Sequence, residues 1–139
     1  MHPESNNSLY CCSLAKINSL SVLIPDGETW DAVKVLRCLN HVPGITVHVL
    51  AKSRLPLARL SRYCSSCHFN ISENDEDWIR AIRSLVRNLR IDVVLPVTER
   101  GVEFVARNRK TISEFVAVPP LADYDSITLG FNKGVKSFP

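Results

Sequence analysis

The sequence predicts an α/β fold, a doubly wound, mostly parallel sheet of about five strands with helices on both faces. Three observations carry that expectation. A branched apolar run at residues 20–24, a stretch of helical period and a second branched run at 45–50 form a strand, helix, strand unit of roughly 30 residues, the length of a right-handed parallel crossover. Further on, a strongly periodic helical stretch ending at Leu89 runs straight into the apolar residues 91–97, so the alternation continues. The chain has 139 residues, 45% hydrophobic and 22% charged, which suits one buried core and excludes a disordered chain or a membrane bundle.

Taken in order, residues 1–18 are polar at their start, rich in Asn and Ser and without either period, and are expected to be a mobile lead-in to a domain at 19–130. Residues 20–24 have the composition of a buried strand, stopped by Pro25, Asp26 and Gly27. From Thr29 to Asn40 the apolar residues Ala32, Val35, Leu36 and Leu39 recur at helical spacing, with Asp26 or Thr29 available as a cap and Pro43 and Gly44 as the stop. After the second strand, the basic stretch 52–63 carries Pro56, and residues 67–71 form a weaker third strand. The acidic residues 72–77 suit the positive end of a helix whose Trp78, Ile82, Leu85, Val86 and Leu89 share one face. Residues 91–97 are a strand, with Pro96 where the ladder finishes. Thr98 and Glu99 then open a helix that turns Val102, Val105, Ala106 and Ile112 inward, residues 115–118 give a fifth strand before Pro119 and Pro120, and a short helix covers 123–129. No internal repeat is visible.

Charge and cysteine content narrow the setting. Lys plus Arg is 17 against 14 Asp plus Glu, and a net charge of +3 is too small to argue for nucleic acid. Arg80, Arg83, Arg87 and Arg90 line one side of the clearest helix, but no aromatic residues interleave with them and Glu76 and Asp77 precede them, so no nucleic-acid partner is expected. Five cysteines (Cys11, Cys12, Cys38, Cys64 and Cys67) form an odd set without a secretory signal, and residues 17–24 are too short and too often interrupted to span a bilayer. The expectation is a cytoplasmic protein with reduced thiols and no membrane partner.

Doubly wound sheets bind ligands outside the carboxyl ends of their strands, where the strand order reverses. Residues 25–28 and 97–100 occupy such ends. The loop Pro25-Asp26-Gly27-Glu28 has one glycine instead of the three of a dinucleotide fingerprint, which argues against a pyrophosphate cradle. Gly27 gives freedom for a positive φ, and Asp26 and Glu28 would repel an anion at the following amides, so an ordinary turn with a cap and a substrate-facing loop both stand as readings. At Thr98-Glu99-Arg100-Gly101 a carboxylate and a guanidinium on a rigid edge could hold a small polar substrate; the alternative is a capping threonine with a surface ion pair, worth about 0–1 kcal/mol.

Cys64-Ser65-Ser66-Cys67-His68 matches the haem-attachment pattern C-x-x-C-H. Such haem needs an exported apoprotein, and Met1, the sole methionine, is a poor second axial ligand. A zinc site would need a fourth ligand such as Cys11 or Cys12, and adjacent cysteines are not a usual ligand pair, so plain thiols and no metal are expected. His2, His41, His48 and His68 are scattered and no serine lies in a G-x-S-x-G elbow, so a hydrolase triad finds no support.

Four segments in order, Ser21-Val-Leu-Ile-Pro-Asp-Gly27, Ser61-Arg-Tyr63, Ile91-Asp-Val-Val-Leu-Pro-Val-Thr-Glu99 and Leu129-Gly-Phe-Asn-Lys133, resemble the Rossmann-like amino-terminal (pre-ATP-grasp) domain of ATP-grasp ligases, in particular the carbamoyl-phosphate-synthase-like group. The resemblance covers about residues 20–133 and rests on the order and spacing of the segments. It implies a domain that forms one wall of a substrate cleft, with residues 131–139 starting the linker to an ATP-grasp domain that binds ATP and Mg2+. The intact protein would activate a small-molecule carboxylate as an acylphosphate and pass it to an amine or another nucleophile, and this chain alone would be inactive and need no cofactor. By the same resemblance Asp26 and Gly27 lie in the loop that lines the cleft, Glu99 faces the substrate side and Lys133 lies near the nucleotide. Glu28, Thr98 and Arg100 adjoin them. Asn132 stands where Asp is commoner, and the first loop is poorer in glycine than the pattern. A homodimer is open. The competing expectation is a free-standing Rossmann-like module that binds a small ligand or regulates.

Overall fold

A computed structural model describes residues 19–136, with side chains through Phe131. The expected lead-in at 1–18, together with Cys11 and Cys12, lies outside the described residues. The elements are β1 (Leu20–Ile24), α1 (Trp30–Asn40), β2 (Ile45–Ala51), a 3-10 turn (Leu57–Leu60), β3 (Ser66–Phe69), α2 (Asp75–Leu89), β4 (Val93–Val94), α3 (Glu99–Arg107), α4 (Arg109–Ser113) and α5 (Tyr124–Lys136).

The four strands make one sheet in the order β3-β2-β1-β4, and every pairing is parallel. Helices cover both faces, as a doubly wound α/β fold requires. Leu23, Leu50 and Val94 point to one face and pack with Trp78, Ile82, Val105 and Ile112 of α2, α3 and α4. Ile24, Val47 and Val49 point to the other, against Ala32 and Leu36 of α1 and Ala58 of the 3-10 turn. Burial on both faces explains why β1 and β2 read as continuous apolar runs and not as alternating ones.

The sheet has four strands where the sequence suggested about five. Residues 115–118 contribute a single bridge, Ala117 to Val93, held by Val94 N–H to the Ala117 carbonyl at 3.0 Å and Ala117 N–H to the Asp92 carbonyl at 3.3 Å. Pro119 and Pro120 follow at once and have no N–H to extend the ladder. Pro96 shortens β4 in the same way: after Leu95 N–H bonds the Leu23 carbonyl at 2.8 Å, the next residue has no donor. The last helix continues through Lys136, past the 123–129 span expected for it and through residues expected to begin a linker.

Local chemistry sets α2 firmly. The Asn74 side chain accepts from Glu76 N–H, three acidic residues fill the first turn, and the Trp78 indole donates to the Ser72 carbonyl at 2.6 Å. Trp78 meets Phe104 of α3 edge to face at 6.4 Å between ring centroids. Asp75 accepts two bonds from Arg107 at 2.8 and 3.1 Å, tying α2 to α3. No helix among the described residues is long and apolar enough to cross a membrane.

Because Ile82 is fully buried where α2 meets the sheet, Ile82→Ala is expected to lower stability by about 2–5 kcal/mol. Arg87→Ala, at an exposed position of the same helix, is expected to change it by less than about 0.5 kcal/mol. Urea unfolding of the two variants checks the contrast.

Candidate functional site

The chain steps from β1 to β2 to β3 in one direction, and β4 then lies on the opposite side of β1. The strand order therefore reverses between β1 and β4. A crevice at such a reversal is flanked by the loops that leave the two strands, here residues 25–29 and 95–98.

Asp26 joins those two loops. Its carboxylate accepts from Val97 N–H at 3.0–3.1 Å, from Thr98 N–H at 2.5 Å and from the Thr98 hydroxyl at 2.7 Å. Burial pushes the Asp26 carboxyl above its usual range, and the hydrogen bonds from Thr98 and Val97 work against that shift by favouring the charged form. The Thr98 hydroxyl oxygen also accepts from Gly101 N–H at 3.1 Å, which caps α3. A Cβ on Gly101 would come 2.0 Å from Asp26 Oδ2, so the first turn of α3 can pack on this carboxylate only because residue 101 has no side chain.

The other half of the first loop is tied to β2. Glu28 Oε1 accepts from the backbone N–H groups of Lys52 and Ser53, the latter at 2.8 Å, and Ser53 Oγ donates to Glu28 Oε2 at 3.2 Å. Gly27 N–H bonds the Leu50 carbonyl at 3.1 Å, and a Cβ there would lie 2.0 Å from Val49 Cγ1. The requirement for glycine is thus close approach to β2. It is not the positive φ expected from sequence, which among the described residues belongs to Gly44 (φ 83°) and Arg90 (φ 53°).

These bonds also correct the capping expectation for α1. Thr29 occupies the N-cap position without a side-chain cap bond, its buried hydroxyl has no partner, and Asp26 is turned to the β4 exit instead. Of the residues singled out from sequence, Asp26 and Thr98 come together at the reversal, and Gly27 next to Asp26 packs on β2. Glu99 and Arg100 follow Thr98 on the exposed first turn of α3, where among the described residues they form no ion pair. Glu28 stands at the β2 side of the loop. Lys133 lies in α5, with its side chain outside the described residues.

The C-x-x-C-H segment falls on and before β3. Cys67 and His68 are consecutive residues of the strand, so their side chains leave opposite faces and cannot close on one ion. Cys67 and Cys64 pack against the α1-side core, and Cys64 Sγ donates to the Ser66 carbonyl at 3.1 Å. Burial, with Cys67 nearby, pushes the Cys64 thiol up to about 11, so it stays protonated at neutral pH. Among the described residues no three metal-binding side chains cluster.

Two histidines that look scattered in sequence meet in space. The parallel register pairs His48 with Ser66, and His68 lies two residues on and hence on the same face. Ser66 Oγ is 2.6 Å from His48 Nδ1 and 2.9 Å from His68 Nε2. Burial, then the neighbouring His68, lowers the His48 pKa. No single-sequence period reveals this trio, because it depends on which strands pair. The Asp26 contact left one trace in the sequence, a glycine in the first turn of a helix, which marks close approach.

No family model and no curated protein matches the chain. Among solved structures, an L-amino acid ligase from Bacillus licheniformis aligns with a TM-score of 0.56 at 12% sequence identity, over 81% of this chain and 25% of that one. The likeness is one of fold, and this chain spans about a quarter of the ligase it aligns with.

Gly101→Ala is expected to displace the Asp26 carboxylate and lower stability by about 1–3 kcal/mol. Glu99→Gln and Arg100→Gln, on the exposed side of the same turn, are expected to stay within about 0.5 kcal/mol of the parent in urea unfolding.

Proposed function

We propose that this chain is the substrate-side, amino-terminal domain of an ATP-dependent carboxylate–amine ligase of the ATP-grasp kind. The observation that carries the reading is the alignment of 81% of the chain with a quarter of an L-amino acid ligase, joined to a strand-order reversal at the place where such a domain would meet substrate. The four sequence segments that resemble the pre-ATP-grasp domain support it independently. The setting proposed is cytoplasmic, and the partner is an ATP-grasp lobe.

The bonding at the reversal suggests a division of labour. Asp26 and Glu28 are both engaged by backbone N–H groups, so they shape the rim and are poor ligands for Mg2+ or for an ammonium group. The described residues of the loop thus do not fit a magnesium–nucleotide site, and the proposal assigns ATP and Mg2+ to the partner lobe. Glu99 and Arg100 are the exposed charged groups beside the crevice: a guanidinium holds a substrate carboxylate by two parallel bonds, and a carboxylate accepts from an amine. Lys133 stays a candidate for the nucleotide side. In this reading the first loop and the Thr98 cap keep the α3 turn at a fixed place, and the exposed pair orients substrate from it.

Calorimetry with ATP and Mg2+ tests the reading. The expected result is no binding at ~1 μM or tighter, and no release of ADP when amino acids are added. A dissociation constant of ~1 μM or below would show that the chain holds its own nucleotide site and would favour a free-standing ligand-binding module.

A further inference from the structure

At the opposite edge of the sheet from the reversal, β3 and the connection that leaves β2 enclose a cleft of about 370 Å³. Ser53, Arg54, Arg59, Ser65, Cys67 and Phe69 are among the residues that line it. Two guanidiniums and no carboxylate belong to the lining. We propose that this cleft is a binding site for a small phosphate monoester, separate from the crevice between β1 and β4.

Both guanidiniums are held before any ligand arrives. Arg54 lies over the Phe69 ring at 5.2 Å from its centroid, and Arg59 Nη1 donates to the Arg54 carbonyl at 3.0 Å. Among the described residues neither arginine has an ion-pair partner. Of the carboxylates around the connection that leaves β2, Glu28 already accepts from Lys52 and Ser53, and Glu73 reaches Lys52 at 4.0 Å. The thiols add no negative charge: burial raises both Cys64 and Cys67, and for Cys67 the pull of Arg59 opposes the rise while the nearby charge of Glu28 adds to it.

The donor count selects the ligand class. Each guanidinium offers a planar fork of N–H groups, and the Ser65 hydroxyl adds another donor, which is more than the two oxygens of a carboxylate can use. A phosphate monoester presents three charged oxygens and accepts from two forks at once. Phe69 is 50% exposed and offers an apolar surface to the organic part of the ester.

The experiment is titration of the full 139-residue chain with phenyl phosphate and, separately, with benzoate at equal ionic strength, followed by amide NMR. Phenyl phosphate is expected to give saturable shifts at Ser65, Cys67 and Phe69, with benzoate on the order of tenfold weaker. Arg54→Gln and Arg59→Gln are each expected to weaken binding on the order of tenfold while the remaining spectrum is kept, and Arg54→Lys to restore it in part, since a point charge cannot fork. Shifts that never saturate, equal response to benzoate, or undiminished binding in both Gln variants would overturn the proposal.

Discussion

A half-buried carboxylate holds the strand-order reversal together. Asp26 leaves β1 and is met by two backbone N–H groups and one hydroxyl from the β4 exit, 71 and 72 residues later in the chain. Hydrogen bonds to a charged group contribute roughly 1.5–3 kcal/mol each, whereas an unsatisfied carboxylate removed from water costs several kcal/mol. The arrangement is therefore stable only when all the donors are present. It fixes the height at which α3 begins, because Thr98 serves both Asp26 and the cap of α3, and it requires residue 101 to be glycine. The same loop is tied on its other side to β2 through Glu28 and Gly27, so the β1 exit is strapped to both neighbouring strands.

That strap bears on the proposed function. The carboxylates that sequence places at the head of the first loop are engaged by the protein itself, which leaves Glu99 and Arg100 as the exposed charged groups of the rim. A rigid rim with few free polar groups suits a domain that positions a substrate for chemistry carried out elsewhere. It suits a domain with its own nucleotide site less well, because such a site needs free amides or carboxylates facing the phosphates and their metal. The arginine-lined cleft at β3 lies beyond β2 and belongs to a different edge of the sheet, so the two proposed sites can be probed separately.

Much of the fold was legible in the sequence. Continuous branched runs marked β1 and β2 because both faces of those strands are buried, and the periodic Trp78, Ile82, Leu85, Val86 and Leu89 marked α2 because only one of its faces is. Less legible were features decided by pairing. Residues 115–118 have strand composition, yet the prolines that follow limit them to one bridge. His48, Ser66 and His68 became neighbours only once β2 and β3 were set in register. At the reversal, the sequence pointed to the two loops that flank it and to Thr98 as a cap. It did not reveal that Asp26 binds the far loop and leaves Thr29 without a cap bond, since that choice depends on β4 lying beside β1.

The most direct test of this account is a double-mutant cycle on Asp26 and Thr98, with Asp26→Asn, Thr98→Val and the double variant compared by urea unfolding. If the carboxylate and the hydroxyl act as one unit, the cycle should return a coupling of about 1–3 kcal/mol. Additive effects, within about 0.3–0.5 kcal/mol, would mean that the reversal is held by other contacts and would contradict the central role given to Asp26.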